Sequence, residues 1–276
     1  MRRSPLSAAG LSLVVLLASA VAGAQPPGAG PGFGPPRSAR ESAQVDLTGH
    51  WVALVTEDWL WRMITAPPGD ATSVPLNPEG RRVAGEWDPG QDAANGEACR
   101  PFGAAGLMRM PLRLRITWQD DNTLKIETDA GEQTRLLNFR GGTAPGERTW
   151  QGFTTAEWTR PVGGFDLRAL IGGRQPSASE GPPKGSLKAV TTQLRAGYLR
   201  KNGLPYSEDA ELTEYFSRVS AFGNDYLTVL SIVHDPKYLG SDFVTSSHFK
   251  REPDDARWNP SPCRTAPPLA AAGESR

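Results

Sequence analysis

The chain has 276 residues, and its 30 Gly and 25 Pro make up roughly a fifth of it, against a usual share of about 12%. Thirty basic residues balance 30 acidic ones, which excludes the cationic excess that nucleic-acid binding requires. The 38% apolar content sets the chain apart from disordered sequences, and a mean hydropathy of −0.42 argues against residence within a bilayer. The chain is therefore expected to be turn-rich and short of long helices, and its eight Trp suit strand-built cores and ligand pockets.

The N-terminus reads as an address. Arg2 and Arg3 precede an apolar run, Leu11 to Ala22, that is short for a membrane span. Ala22-Gly23-Ala24 then offers small residues where a signal peptidase cuts. Residues 1–24 are thus expected to be a signal peptide removed before Gln25, giving a periplasmic or secreted protein with no membrane span after cleavage. Residues 25–40, dominated by Pro and Gly, read as a flexible leader. A β-barrel-like domain is expected over residues 41–263, and a disordered tail over 264–276.

Within the domain, His50 to Met63 reads as a long strand broken near Asp58. Asn77-Pro78-Glu79 carries a cap followed by Pro, predicting a helix to about Trp87. A weaker helical turn follows near Gln91 to Glu97. Leu112 to Gln119 alternates apolar and polar residues, Asp120-Asp121-Asn122 turns the chain, and Leu124 and Ile126 continue the inward face. Further strands are predicted at Gln133–Phe139, Thr149–Thr159 and Leu187–Leu194, with a Gly/Pro/Ser-rich loop from Pro161 to Gly185. A meander of Leu212–Arg218, Tyr226–His234 and Phe243–Lys250 completes the set. About nine antiparallel strands with one short early helix predict a mainly β fold, a single barrel or curved sandwich.

Cys99 and Cys263 are the only cysteines. In an oxidising compartment an even count predicts a disulfide. Two distant cysteines give no metal site, and His50, His234 and His248 lack the short ligand spacing one needs. Neither a Gly-x-Ser-x-Gly elbow nor a Gly-rich phosphate loop occurs, so neither nucleotide binding nor a bound cofactor is expected. Arg113 and Arg115 share one strand face, opposite the apolar one, and read as solvated.

Asp46-Leu47-Thr48-Gly49-His50-Trp51, at the start of the domain, resembles the Gly-x-Trp opening of the lipocalin-like (calycin) barrels. In those barrels Gly permits a tight entry and Trp closes one end. Cys99-Arg100-Pro101-Phe102-Gly103 through Met108-Arg109-Met110-Pro111, with Ser207-Glu208, Leu212 to Arg218 and Asp235-Pro236 further on, is similar to a family of exported bacterial proteins of unassigned function. Thr155-Ala156-Glu157-Trp158 stands where that family has Trp-Glu-Gly-Asp. The resemblance implies export and β-structure and adds no chemistry.

These observations predict an exported, lipocalin-like module that binds a small, mostly apolar ligand. Trp51, Trp59, Trp61, Trp118 and Trp158 are expected in or near its cavity, with Tyr198 and Tyr206 at the rim. The segment from Arg195 to Tyr206, which includes Arg200, Lys201 and Asn202, reads as a polar-aromatic loop at the barrel mouth, where binding residues concentrate. An enzyme on the same scaffold would draw on Glu57, Asp58 or His234 as acid or base. A structural envelope protein with a filled core is the third reading.

Overall fold

The computed structural model describes residues 37–144, 146–159 and 185–265. The expected signal peptide, nearly all of the expected leader and of the 161–185 loop, and the tail beyond residue 265 lie outside these residues.

In chain order the elements are β1 (Gly49–Leu54), α1 (Trp59–Met63), α2 (Pro78–Gly85), α3 (Pro89–Ala94), a 3₁₀ turn (Arg100–Phe102), α4 (Ala104–Leu107), β2 (Arg113–Asp120), β3 (Thr123–Thr128), β4 (Thr134–Asn138), β5 (Phe153–Thr159), β6 (Ser186–Thr192), β7 (Gly197–Tyr198), β8 (Pro205–Tyr206), β9 (Glu211–Ala221), β10 (Asn224–His234) and β11 (Phe243–Glu252). Nine strands close into one barrel in the order β1-β11-β10-β9-β6-β5-β4-β3-β2, and β7 and β8 form a separate two-stranded ribbon. All barrel pairs are antiparallel except β4 with β5, which run parallel at Leu137 and Thr154. Residues 139–152 carry the chain back along the barrel before β5 begins. That return is a departure from the wholly antiparallel expectation.

The alternation seen in the sequence decides which residues fill the barrel. Leu114 and Ile116 of β2, Leu124 and Ile126 of β3, Leu187 and Ala189 of β6, Phe216 of β9, Leu227 and Val229 of β10, and Phe249 of β11 pack around the fully buried Trp51. Gly49 enters β1 at φ 127, a conformation that L side chains rarely adopt, and a side chain there would also press on Arg251. Arg113 and Arg115 point outward to acids, Arg113 to Glu252 and Arg115 to Glu127, and the Arg115 guanidinium lies over Trp258.

One barrel end is plugged by the chain that precedes β1. Trp118, Phe139 and Trp158 cluster there with ring centroids 5.1–6.4 Å apart. The Trp158 indole donates to the Ala39 carbonyl, Trp51 to that of Leu47, and Arg218 to that of Asp46. Towards the other end the interior turns polar. Arg135 donates to both Glu214 carboxylate oxygens, at 2.6 and 3.3 Å, and both side chains are fully buried. Thr191 accepts from Arg135 and pairs with Thr154, and Ser231 donates to Glu214. Leu107, Met108, Met110 and Leu112 then roof this end.

The long strand expected over His50–Met63, with a break near Asp58, is a strand only in its first part. β1 ends at Leu54 and the next element is helical, so Trp59 and Trp61 stand on α1, outside the barrel wall. The predicted helix is α2, where the Asn77 side chain accepts from Gly80 N at 2.9 Å and Pro78 fills the first position. α3 replaces the weaker turn, capped by Asp88, while α1 and α4 start without a side-chain capping bond. Cys99 and Cys263 form the disulfide, which closes a separation of 164 residues. It holds the last strap against Gly131, whose N–H donates to the Ser261 carbonyl at 2.8 Å. Among the described residues no helix is long and apolar enough to cross a membrane.

Candidate cationic crevice

Three loops meet over the roofed end of the barrel, and each brings a buried arginine. The first leaves β1 and turns at Asp58, which takes the left-handed conformation (φ 50, ψ 31), one that Asp visits more readily than most side chains. Asp58 stands at the N-cap of α1 yet makes no capping bond. Its carboxylate instead accepts from Arg109 Nη2 at 2.8 Å. α1 turns Trp59 and Met63 outward, 60% and 53% exposed, and turns Arg62 inward, 2% exposed. Arg62 donates through Nε to the Arg109 carbonyl at 2.9 Å, and through Nη1 to Glu57 at 2.8 Å and the Leu54 carbonyl at 3.3 Å. Its Nη2 finds no acceptor among the described residues.

The second loop is the α4 turn. Gly106 packs flat on β7, because a Cβ there would lie 2.7 Å from the Tyr198 carbonyl oxygen. That close approach brings Arg109 beside the third loop, the turn joining β7 to β8. In this turn Leu199 N–H donates to the Leu204 carbonyl at 2.7 Å, and Gly203 adopts φ 78 hard against the Trp87 indole. Asn202 donates to the carbonyls of Pro67 and Asp70, at 3.1 and 3.0 Å, stitching the turn to the loop after α1.

Arg200, in this turn, is 5% exposed, and its Nε, Nη1 and Nη2 all lack an acceptor among the described residues. Its guanidinium lies 5.1 Å from the centre of the Trp61 ring, and that indole in turn donates to Asp70 at 3.1 Å. Burial, reinforced by the like charge of Arg109, pushes Arg200 down to about 10. Burial also lowers Arg62 and Lys201 from their ordinary ranges. Trp61, Arg62, Gly106, Arg109, Met110, Leu199, Arg200 and Lys201 line one tight crevice of about 10 Å³, room for about one water molecule.

A guanidinium presents five N–H donors in a planar fork and cannot accept. Arg62 and Arg109 spend donors on Glu57 and Asp58, whereas the fork of Arg200 has no acceptor among the described residues. The arrangement can hold an acidic group by a bidentate, charge-assisted pair.

The residues singled out in the sequence divide among different regions. Trp61 lines the crevice, Glu57 and Asp58 pair with its arginines Arg62 and Arg109, and Tyr198 is not among its lining residues. The Tyr198 hydroxyl donates to the Asp92 carboxylate, within 3.0 Å of both oxygens, while Arg100 covers its ring. Tyr206 is fully buried beside Gly103 and Gly197, and its hydroxyl has no partner among the described residues. Burial raises both tyrosines above their ordinary range. Trp51 is in the core, Trp118 and Trp158 are in the far plug, and Trp59 is on the surface. His234 stands on the outer face of β10, 2.8 Å from Asp242, while His248 contacts Thr228 and Ser246. Neither histidine reaches Glu57 or Asp58.

Arg62, Arg109 and Asp70 escaped the sequence reading. The signal was there for the two arginines: each is a lone cation in an otherwise apolar run, Trp-Leu-Trp-Arg-Met and Leu-Met-Arg-Met. Lone cations in such runs end up buried and need partners. Compared with protein-family models, curated proteins and solved structures, the chain matches none.

Proposed function

We propose that the protein is an exported binding module whose ligand is a small organic anion, held in the crevice over the roofed barrel end. The observation that carries this reading is Arg200, a buried guanidinium none of whose nitrogens has an acceptor among the described residues. Retaining such a group costs stability, and a ligand acid is the partner that offsets the cost. Export is supported by the N-terminal sequence and agrees with a disulfide chemistry suited to oxidising compartments. The calycin-like reading draws support from Gly49 and from Trp51, over whose ring the Arg251 guanidinium lies at 5.8 Å. The ligand moves from the barrel interior to its roof because Trp51, Ile116, Phe216 and Phe249 already fill the interior.

The test is thermal unfolding of the mature protein with millimolar butanoate, propanesulfonate and propyl phosphate, beside Arg200→Met. A ligand at a hundred times its Kd stabilises by about 2.7 kcal/mol. At least one anion is expected to raise the Tm of the wild type and leave that of the variant unchanged. Equal shifts in both proteins, or no shift with any anion, would overturn the proposal.

A further inference from the structure

We infer that the crevice selects a singly charged, planar acid, a carboxylate, over a phosphomonoester dianion, and that Asp58 sets this selection. The inference rests on the reading that the crevice binds an anion at Arg200. Four cations converge there: Arg62, Arg109, Arg200 and Lys201. Three carboxylates answer them. Glu57 sits on Arg62 and Asp58 on Arg109, both at 2.8 Å, and Asp70 faces Arg200 while held by Trp61. One positive charge is left over, which a carboxylate neutralises and a dianion overshoots.

The site's own acids also act as occupants. Asp58 reaches Arg109 from a left-handed backbone position and forgoes capping its own helix to do so. Its carboxylate therefore holds the donor that a second negative charge would need. A phosphate dianion on Arg200 would place excess charge beside Asp58 and Asp70 in a poorly solvated cleft. Selection against a competitor by such a fixed like charge is a general route to specificity. Shape points the same way: the crevice has room for about one water, and a flat carboxylate presents two oxygens to a flat fork.

Lys201 supplies the surplus charge. It lines the crevice, and it has no ion pair or hydrogen bond among the described residues. Lys201→Gln should therefore weaken carboxylate binding without changing which residue holds the acid.

The experiment measures affinities of butanoate and propyl phosphate for the full mature protein and for Asp58→Asn by ligand-observed NMR at pH 7.5. Arg200→Met and Asp58→Gly serve as companions. Asn and Gly both tolerate the left-handed backbone, so retained Tm values certify the fold. The wild type is expected to prefer butanoate at least tenfold, and Asp58→Asn to narrow or reverse that preference by a similar factor. If both probes bind through Arg200 with a ratio that neither Asp58 variant changes, the selection is overturned and anion binding stands. If no probe binds, or Arg200→Met binds as well as the wild type, the underlying reading falls with it.

Discussion

Arg200→Met offers a direct test, because the arginine should cost the fold more than it returns. The residue is 5% exposed, and none of its side-chain nitrogens has an acceptor among the described residues. The depression of Arg200 from the ordinary arginine range to about 10 corresponds to about 3 kcal/mol against the charged form. The stack on Trp61, at 5.1 Å, returns on the order of 1 kcal/mol, and Met keeps most of the apolar stem. The variant should therefore be more stable than wild type by roughly 1–2 kcal/mol at pH 7. The sign has a pH signature. Arg200 binds its proton less tightly in the folded chain, so the penalty is fully present below about pH 10 and fades as the pH rises from there through the unfolded arginine range. The gain from the mutation should shrink over that same interval. Urea unfolding at fixed m-value, with the disulfide intact, measures it. A variant destabilised by more than 1 kcal/mol would refute the reasoning, since it would mean that the guanidinium is structural and well partnered.

Other consequences follow from the barrel. Glu214→Ala should cost about 3–5 kcal/mol, because it strands the fully buried Arg135, while the double replacement Arg135→Met/Glu214→Leu should restore or exceed wild-type stability; a tolerated single mutant would indicate a wet, open interior. Replacing Cys99 and Cys263 by Ser should remove up to about 5 kcal/mol by the loop-entropy rule for a separation of 164 residues, and a denaturation midpoint unmoved by reduction would contradict it. Gly203→Ala should lose at least ~1 kcal/mol, since φ is 78 and the new methyl meets Trp87; calorimetry of the variant decides.

Much of the barrel was legible because its code is local. In β2 and β3 the apolar residues fall at every second position, and Asp120 closes the turn by accepting from Asn122 N at 2.8 Å. A reader of sequence needs nothing distant to see that hairpin. The β9–β10–β11 meander is legible for the same reason. By contrast, the parallel pairing of β4 and β5 depends on where residues 139–152 travel, and no periodicity records that path. α1 was misread because Trp-Leu-Trp-Arg-Met is rich in residues that suit strands. Its helical state follows from the left-handed turn at Asp58 and from the docking of Arg62 on the Arg109 carbonyl. The disulfide was legible from cysteine arithmetic together with the expectation of an oxidising compartment.

The crevice was half legible, and the reason is physical. Glu57 and Asp58 looked like acids beside aromatics, and Arg200 and Lys201 looked like a mouth loop, yet nothing in the sequence joined residues 57–62 to 109 and 200. What joins them is steric. Gly106 lets α4 lie on the β7 backbone, and Gly203 lets the β7–β8 turn close over Trp87. These two glycines bring segments some ninety residues apart to within the reach of one guanidinium. The barrel contributes rigidity, with its apolar layers and its Arg135–Glu214 pair sealed against water. On the proposed reading, recognition is left to the loops, and the closed, well-packed barrel beneath them holds an unpaired cation in place. On that division of labour, mutations inside the barrel should act through stability alone. Mutations at Asp58, Trp61, Arg109 and Arg200 should change which anion binds while the barrel persists.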